Sequence, residues 1–238
     1  MSAPATAGPS IDEILARLDI RPEDDSAVGD AEARYLHELV VRLAPTATLE
    51  VGCGLGKSAA AIMAATTGRH IVIDPFQDNY DRRGISNIER AGFGERLDFI
   101  AEPSHVALPR LLAEGRRFDF VFIDGSHRFD DIFVDFYYAD HLLTPGGVVV
   151  FDDLWMRTAR LVLAFIRTNR PDYTEVPDVP RTFATVRKTG VDERNGMFHR
   201  EFYTPRSLVS HNANLWITTG PDTRLKAALR RLKGLVYR

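Results

Sequence analysis

The segment "LEVGCGLGKS", residues 49–58, decides the predicted fold, because it joins an apolar strand to a helix through three closely spaced glycines. Four more short segments rich in Val, Ile and Phe follow, each separated from the next by a helical pattern. Strands of almost continuous apolar sequence are typical of a parallel sheet that is covered on both faces. We therefore predict strands at 47–51, 70–74, 97–101, 118–124 and 147–153, with helices at 57–66, 84–91, 104–114 and 127–142.

The alternation of strands and helices predicts an α/β protein with a Rossmann-like, doubly wound, mainly parallel sheet and helices on both faces. Two further strand candidates, 173–176 and 182–188, would complete seven strands by pairing at one edge. Before this core, which we place at 46–190, the sequence predicts a disordered N-terminus at 1–9 and helices within 10–45. Residues 191–238 are expected to form an extension that ends in a basic helix.

The composition is that of an ordinary globular protein, with 45% hydrophobic and 26% charged residues among 238. The net charge of -3 argues against a nucleic-acid partner, since nucleic-acid-binding proteins usually carry a basic excess. The single cysteine, Cys53, excludes an internal disulfide and a zinc site built from cysteines. The sequence has no signal-peptide pattern and no apolar run of about 20 residues, which a transmembrane segment needs. We therefore expect a cytoplasmic protein, and the sequence leaves a homo-oligomer open.

Three classes of nucleotide-binding loop share features with residues 49–58. A phosphate loop has a glycine five positions before its Gly-Lys-Ser, and this chain has Val51 there. A dinucleotide-binding loop has the spacing Gly-x-Gly-x-x-Gly, whereas the glycines here are Gly52, Gly54 and Gly56. The acidic Glu50 before the loop also favours a cationic ligand. These departures favour S-adenosylmethionine over an NTP or NAD, and a tight turn without any ligand stays an alternative.

The stretch Glu-Val-Gly-Cys-Gly-Leu-Gly resembles the first motif of class I S-adenosylmethionine-dependent methyltransferases. Glycines at these positions let the backbone approach the ligand, where a Cβ atom would clash. Asp74 ends the second predicted strand, where related folds use an acid to bind ribose hydroxyls, unless it is only a capping or turn residue. Ser104 follows the third strand, where related methyltransferases contact the adenine, unless it is a helix N-cap. The expected donor-binding residues are Glu50, Gly52, Gly54, Gly56, Ser58, Asp74, Ser104 and Asp124.

A second group of polar residues follows the fourth and fifth predicted strands. Asp124 and His127 lie in "IDGSH", and Asp152 and Asp153 end "GVVVFDD". Because ligands bind outside the carboxyl ends of the strands in open α/β sheets, these acids should meet at the same edge as the glycine loop. Their repulsion favours a bound cation, and oxygen ligands suit Mg²⁺ or another divalent ion. Asp124, Asp152 and Asp153 are thus candidate metal ligands, and His127 with Asp124 are the candidate catalytic residues.

The pattern "DFVFIDGSH…LLTPGGVVVFDD" resembles metal-dependent small-molecule O-methyltransferases, both of the catechol type and of the type that methylates macrolide sugar hydroxyls. In that family, an acid after strand four and an acidic pair after strand five hold the metal, which matches Asp124, Asp152 and Asp153. A histidine three residues after the first acid is a base in some members, which matches His127. Catechol-type enzymes commonly have Asp-Asn at the second site, so the Asp-Asp here favours the sugar-hydroxyl branch. The alternative without a metal is that these aspartates cap a helix or orient the donor, and that His127 is a surface residue.

The sequence therefore predicts an enzyme that methylates a hydroxyl of a small molecule or a sugar-bearing natural product with S-adenosylmethionine and a divalent cation. Two other functions stay open, an NAD-dependent oxidoreductase and a non-catalytic S-adenosylmethionine-binding protein. Nothing after residue 155 identifies the acceptor.

Overall fold

Seven short strands form one sheet within residues 9–202, the part of the chain that the computed structural model describes. The strands are β1 (Thr48–Val51), β2 (His70–Ile73), β3 (Leu97–Ile100), β4 (Phe118–Ile123), β5 (Leu143–Phe151), β6 (Tyr173–Glu175) and β7 (Ala184–Lys188). Their order across the sheet is β3-β2-β1-β4-β5-β7-β6. Neighbours from β3 to β5 pair in parallel, whereas β7 runs antiparallel to both β5 and β6. The predicted seven-stranded, mainly parallel sheet is therefore confirmed.

Seven α-helices lie in the described part of the chain. They are α1 (Ile11–Leu15), α2 (Asp30–Leu43), α3 (Lys57–Ala64), α4 (Arg83–Arg90), α5 (Ser104–Ala113), α6 (Phe129–Leu142) and α7 (Arg157–Asn169). A capping box begins α1, in which the Ser10 hydroxyl accepts from the Glu13 N–H and the Glu13 carboxylate accepts from the Ser10 N–H. Within residues 9–202, no helix is long and apolar enough to cross a bilayer.

Alternate residues of the central strands pack into separate hydrophobic clusters, which explains the continuous apolar sequence of these strands. Val121 and Ile123 of β4 pack with residues of α5, α6 and α7. Phe120 and Phe122 of the same strand pack with residues of α2 and α3. Both faces of the sheet are thus covered, as the near-continuous apolar runs predict.

The order of the strands reverses between β1 and β4. From β1 the chain passes to β2 and β3 on one side, and then crosses to β4 and β5 on the other. Val51 and Ile123 are paired at the carboxyl ends of these two strands. In doubly wound sheets, ligands bind in the crevice that such a reversal opens.

Two element boundaries differ from the predicted ones at functionally important places. The helix predicted from residue 127 begins at Phe129, because residues 124–128 form the connection that leaves β4. The strand β5 begins at Leu143, four residues earlier than predicted, with an irregular register against β4. The disorder predicted for 1–9 falls almost wholly outside the described residues, and so does the basic helix predicted at the C-terminus.

Candidate functional site

A cavity of about 800 Å³ opens at the carboxyl ends of β1, β2, β4 and β5. The glycine loop after β1 and the acids after β2, β4 and β5 all lie in its wall. Eight residues singled out from the sequence line it: Gly52, Gly54, Asp74, Ser104, Asp124, His127, Asp152 and Asp153. The fold therefore brings the two predicted groups of polar residues to one cavity, as expected at this edge of the sheet.

Gly52 occupies a position that no other residue could take without moving the backbone. Its φ is +93°, and a Cβ atom there would lie 2.0 Å from the carbonyl oxygen of Asp124. The Asp124 N–H in turn donates to the Val51 carbonyl at 2.8 Å, which holds the ends of β1 and β4 together. Glycine therefore permits the close approach of the two strand ends that form the floor of the cavity.

Asp74 is fixed against the glycine loop by hydrogen bonds from the backbone. Its Oδ2 accepts from the N–H groups of Cys53 at 3.1 Å and Gly54 at 3.3 Å. Its Oδ1 accepts from the Phe76 N–H at 2.7 Å, and Gln77 Nε2 donates to Oδ2 at 2.9 Å. The carboxylate is thus held at the end of β2 in the cavity wall, where a ribose-binding acid is predicted.

Three of the predicted donor-binding residues lie behind the cavity wall. The side chain of Glu50 is fully buried, accepts from the Ser58 hydroxyl at 2.5 Å and pairs with His70 Nε2 at 2.9 Å. A Cβ atom on Gly56 would lie 2.4 Å from the carbonyl oxygen of Gly84, so this glycine allows α4 to pack closely. The structure gives these residues a packing role beneath the loop, and their donor-binding roles stay predictions.

Ser104 lines the cavity at the start of α5, but it is not the N-cap of that helix. The N-cap is Pro103, which overturns the capping alternative for Ser104. The Ser104 side chain instead lies beside the carboxyl of Asp135 on α6 and lowers its pKa, and the Asp135 side chain is 1% exposed. The buried Asp135 therefore lies behind Ser104, the residue that is predicted to contact the adenine.

The acids after β4 and β5 form a compact group with His127. One ligand atom each from Asp124, His127 and Asp153 lie within 4.8 Å of one another. His127 Nε2 lies 2.7 Å from Asp153 Oδ2, and Asp152 Oδ1 accepts from the Asp153 N–H at 2.5 Å. Among the described residues, Asp124, His127 and Asp153 form the group that could hold a metal ion. The sequence predicts Asp152 as the third ligand, and the structure has His127 in that role.

The electrostatics of this group favour a bound cation. Burial raises the pKa of the Asp124 carboxyl well above its usual value, and the charges of Asp152 and Asp153 raise it further. The pKa of Asp152 is raised to about 7, mainly by burial. The charges of Asp153 and Glu32 also raise this pKa, whereas a hydrogen bond from the Asp153 backbone lowers it. Within residues 9–202, no hydrogen bond to the Asp124 carboxylate is seen, so its lone pairs are available. These residues fit a divalent cation, which would relieve the repulsion.

Several cavity residues lie outside the motifs that indicate the glycine loop and the acidic group. Asp25 and Glu32 enter from the N-terminal segment, and Thr182 from the residues before β7. Two large aromatic side chains of the wall, Phe76 and Trp155, are 62% and 63% exposed. The Trp155 indole N–H donates to Asp153 Oδ1 at 2.7 Å, which places the ring beside the acidic group. A signal for Trp155 was available, because it follows the Asp-Asp pair by two positions.

Comparison with known proteins gives consistent results. Residues 49–154 match the model of a methyltransferase domain. A caffeoyl-CoA O-methyltransferase of Petroselinum crispum is 30% identical over 131 residues, which are 52% of this chain and 53% of that protein. The caffeoyl-CoA O-methyltransferase 1 of Zea mays is 31% identical over 52% of this chain and 49% of its own length. The chain thus spans about half the length of the curated relatives it matches.

Solved structures show the same fold. The O-methyltransferase TomG of Streptomyces achromogenes, in complex with S-adenosylmethionine, superposes with a TM-score of 0.61 at 24% identity, over 70% of this chain and 83% of TomG. An O-methyltransferase of Bacillus cereus, in complex with S-adenosylhomocysteine, gives 0.62 at 22% identity, over 77% and 94%. These solved structures share the fold of this chain, and residues 49–154 resemble a methyltransferase domain.

Proposed function

We propose that this chain transfers the methyl group of S-adenosylmethionine to a hydroxyl oxygen of a small molecule. The observation that carries this proposal is the single cavity whose wall contains both the glycine loop with Asp74 and the group of Asp124, His127 and Asp153. One cavity can therefore hold a methyl donor and an activated hydroxyl next to each other. Such placement converts a reaction between two molecules into one within a complex.

The donor half of the cavity suits a cationic nucleoside ligand. Gly52 and Gly54 line the wall, and the Asp74 carboxylate is held there by the backbone N–H groups of Cys53 and Gly54. When bound, S-adenosylmethionine supplies a methyl group on a positively charged sulfur and leaves as S-adenosylhomocysteine. The surrounding carboxylates attract such a charge, whereas they repel the pyrophosphate of NAD. This argues against the oxidoreductase alternative.

The acceptor half is proposed to include a divalent cation. Asp124 and Asp153 would be its carboxylate ligands, and Asp152 lies next to them. Binding of the ion would relieve the repulsion among these carboxylates. When bound, such an ion lowers the pKa of a hydroxyl that it coordinates. Mg²⁺ prefers oxygen ligands, so an imidazole ligand would shift the preference toward a transition metal such as Mn²⁺.

His127 is proposed to be the general base that takes the proton of the acceptor hydroxyl. Its side chain is 55% exposed, borders the cavity, and is oriented by Asp153 at 2.7 Å. An imidazole near neutral pH can accept a proton and release it to solvent. The alternative, that His127 is a metal ligand, predicts a different result for the His127→Ala variant, because metal affinity would then fall together with turnover.

The acceptor is proposed to be a small molecule in the cytoplasm and not a nucleic acid. The acidic cavity would repel a phosphate backbone, and the net charge of the chain is -3. The curated relatives are named for caffeoyl-CoA, and the sequence pattern resembles enzymes of macrolide sugars, so both aromatic and sugar hydroxyls are candidates.

Isothermal titration with S-adenosylhomocysteine tests the donor site. We expect binding to the unmodified chain and loss of binding in Gly54→Ala, where a Cβ atom would lie 2.6 Å from the Ser26 carbonyl oxygen and φ is +46°. Gly196→Ala is the matched control, since a Cβ atom there meets no atom within 4 Å. Binding of NAD without binding of S-adenosylhomocysteine would show that the proposed function is wrong.

A further inference from the structure

The cavity wall carries far more negative than positive charge. Its acids are Asp25, Glu32, Asp74, Asp124, Asp131, Asp152 and Asp153. Among the lining residues that the structure describes, the single Lys or Arg is Arg128, and it is already paired with Asp131 through Nε at 2.8 Å and Nη2 at 3.0 Å. A divalent ion and a sulfonium donor would offset only part of this charge. The acceptor therefore enters a negative electrostatic potential.

Glu32 contributes one of these acids to the cavity wall that also contains the proposed metal ligands Asp124 and Asp153. The Thr182 hydroxyl donates to Glu32 Oε1 at 3.0 Å, and Thr182 also lines the cavity. In the described part of the chain, neither Glu32 nor Asp25 has an ion-pair partner. Glu32 belongs to α2, outside the matched domain of residues 49–154, so the motifs do not account for it.

Trp155 adds an aromatic surface at the same place. The hydrogen bond from its indole N–H to Asp153 fixes the ring next to the acidic group, while 63% of the residue stays exposed. Phe76 offers a second exposed ring in the cavity wall. The face of an aromatic ring attracts an ammonium group, and this attraction strengthens where water is excluded. The Glu32 carboxylate and the two aromatic rings therefore both favour a positively charged ligand.

We propose that the methyl acceptor carries a protonated amine close to its reactive hydroxyl, bound by Glu32 and Trp155, and that anionic acceptors such as coenzyme A thioesters are rejected. This inference rests on the proposed function, because it assumes that the acceptor occupies the same cavity. It separates the chain from the relatives that are named for caffeoyl-CoA. The rejection follows from unpaired carboxylates, which exclude a ligand of like charge.

Three ligands of nearly equal shape and different charge test this inference. The protein is first saturated with S-adenosylhomocysteine and Mg²⁺, and 3,4-dihydroxybenzylamine, 3,4-dihydroxybenzyl alcohol and 3,4-dihydroxybenzoate are then titrated separately by calorimetry. We expect affinity to fall in that order, with the amine preferred over the benzoate by roughly 10-fold to 100-fold. Caffeoyl-CoA is expected not to bind.

Two variants on α2 test whether Glu32 causes the preference for the amine over the benzoate. Glu32→Gln keeps an oxygen that can accept from Thr182 and should reduce the ratio of amine to benzoate affinity to less than about threefold. Glu38→Gln removes an exposed charge outside the cavity wall and should leave the ratio unchanged. Equal affinities, tighter binding of the benzoate, or binding of none of the three ligands would overturn the inference. Failure of S-adenosylhomocysteine to bind in the first step would instead contradict the proposed function.

Discussion

Replacement of Asp135 by asparagine should stabilise the protein at neutral pH. Asp135 is 1% exposed, and its Oδ1 has no hydrogen-bond partner among the described residues. Burial, with a smaller contribution from the Asp131 charge, raises its pKa from 3.8 to about 6, although Ser104 and His105 act in the opposite direction. The folded protein therefore binds a proton at this site more tightly than the unfolded chain does. The stability contributed by that proton is present at low pH and is lost as the pH rises through about 4 to 6.

The magnitude follows from the size of the shift. About two pKa units correspond to about 3 kcal/mol of destabilisation above pH 6, as an upper limit. An asparagine has nearly the same shape, cannot ionise, and still offers an oxygen to the Ser104 hydroxyl. Asp135→Asn should therefore match the unmodified protein near pH 3, below the pKa of the unfolded carboxyl, and exceed its free energy of unfolding by up to about 3 kcal/mol near pH 8.

Urea unfolding, followed by tryptophan fluorescence at several pH values, measures this difference. Asp130→Asn on the same helix is the control, because that side chain is exposed and its removal should change stability by less than about 0.5 kcal/mol. A variant that is less stable at pH 8, or a difference that does not depend on pH, would refute the assignment of a buried, destabilising carboxylate.

Three further predictions concern the site and its support. His127→Ala should lower methyl transfer by roughly 10²-fold to 10⁴-fold in a turnover assay, with the affinity for Mn²⁺ retained, and a parallel loss of metal affinity would identify a ligand instead. Asp124→Asn removes a carboxyl whose pKa is raised by burial and by the neighbouring acids. The variant should therefore melt at a higher temperature than the unmodified protein without metal, and Mg²⁺ should not raise its melting temperature further. A lower melting temperature of the metal-free variant would contradict this prediction. His70→Leu leaves the fully buried Glu50 carboxylate without its ring partner and should cost about 3 kcal/mol in urea unfolding, a loss that an unchanged midpoint would disprove.

Much of the fold follows from the sequence because the strands are buried on both faces. The run 118–124 is almost wholly apolar, and the structure shows Phe120 and Val121 buried on opposite faces of the sheet. The meeting of Asp74, Asp124 and Asp153 at one cavity follows in the same way, because each residue comes at or near the end of a strand of one parallel sheet.

Other parts of the site depend on geometry that local sequence patterns do not carry. Asp153 adopts φ +61°, an uncommon conformation outside glycine, and its carboxylate rather than that of Asp152 joins the group with Asp124. Glu32 lies in the cavity wall on α2, which packs against α3, and no local sequence pattern in α2 indicates that position. Asp135 is one of several aspartates on α6, and its burial follows from the packing of that helix on α5.

A crystal structure of the chain with S-adenosylhomocysteine and Mn²⁺ tests the proposed function most directly, because the anomalous signal of manganese locates the ion independently. We predict S-adenosylhomocysteine against Gly52 and Gly54 with its ribose on Asp74. A single manganese peak should lie about 2.0–2.3 Å from carboxylate oxygens of Asp124 and Asp153, as expected for an ion between magnesium and calcium in size. Nucleoside density outside this cavity, or a cavity that holds the nucleoside but gives no anomalous peak at saturating manganese, would contradict the proposed metal-dependent methyl transfer.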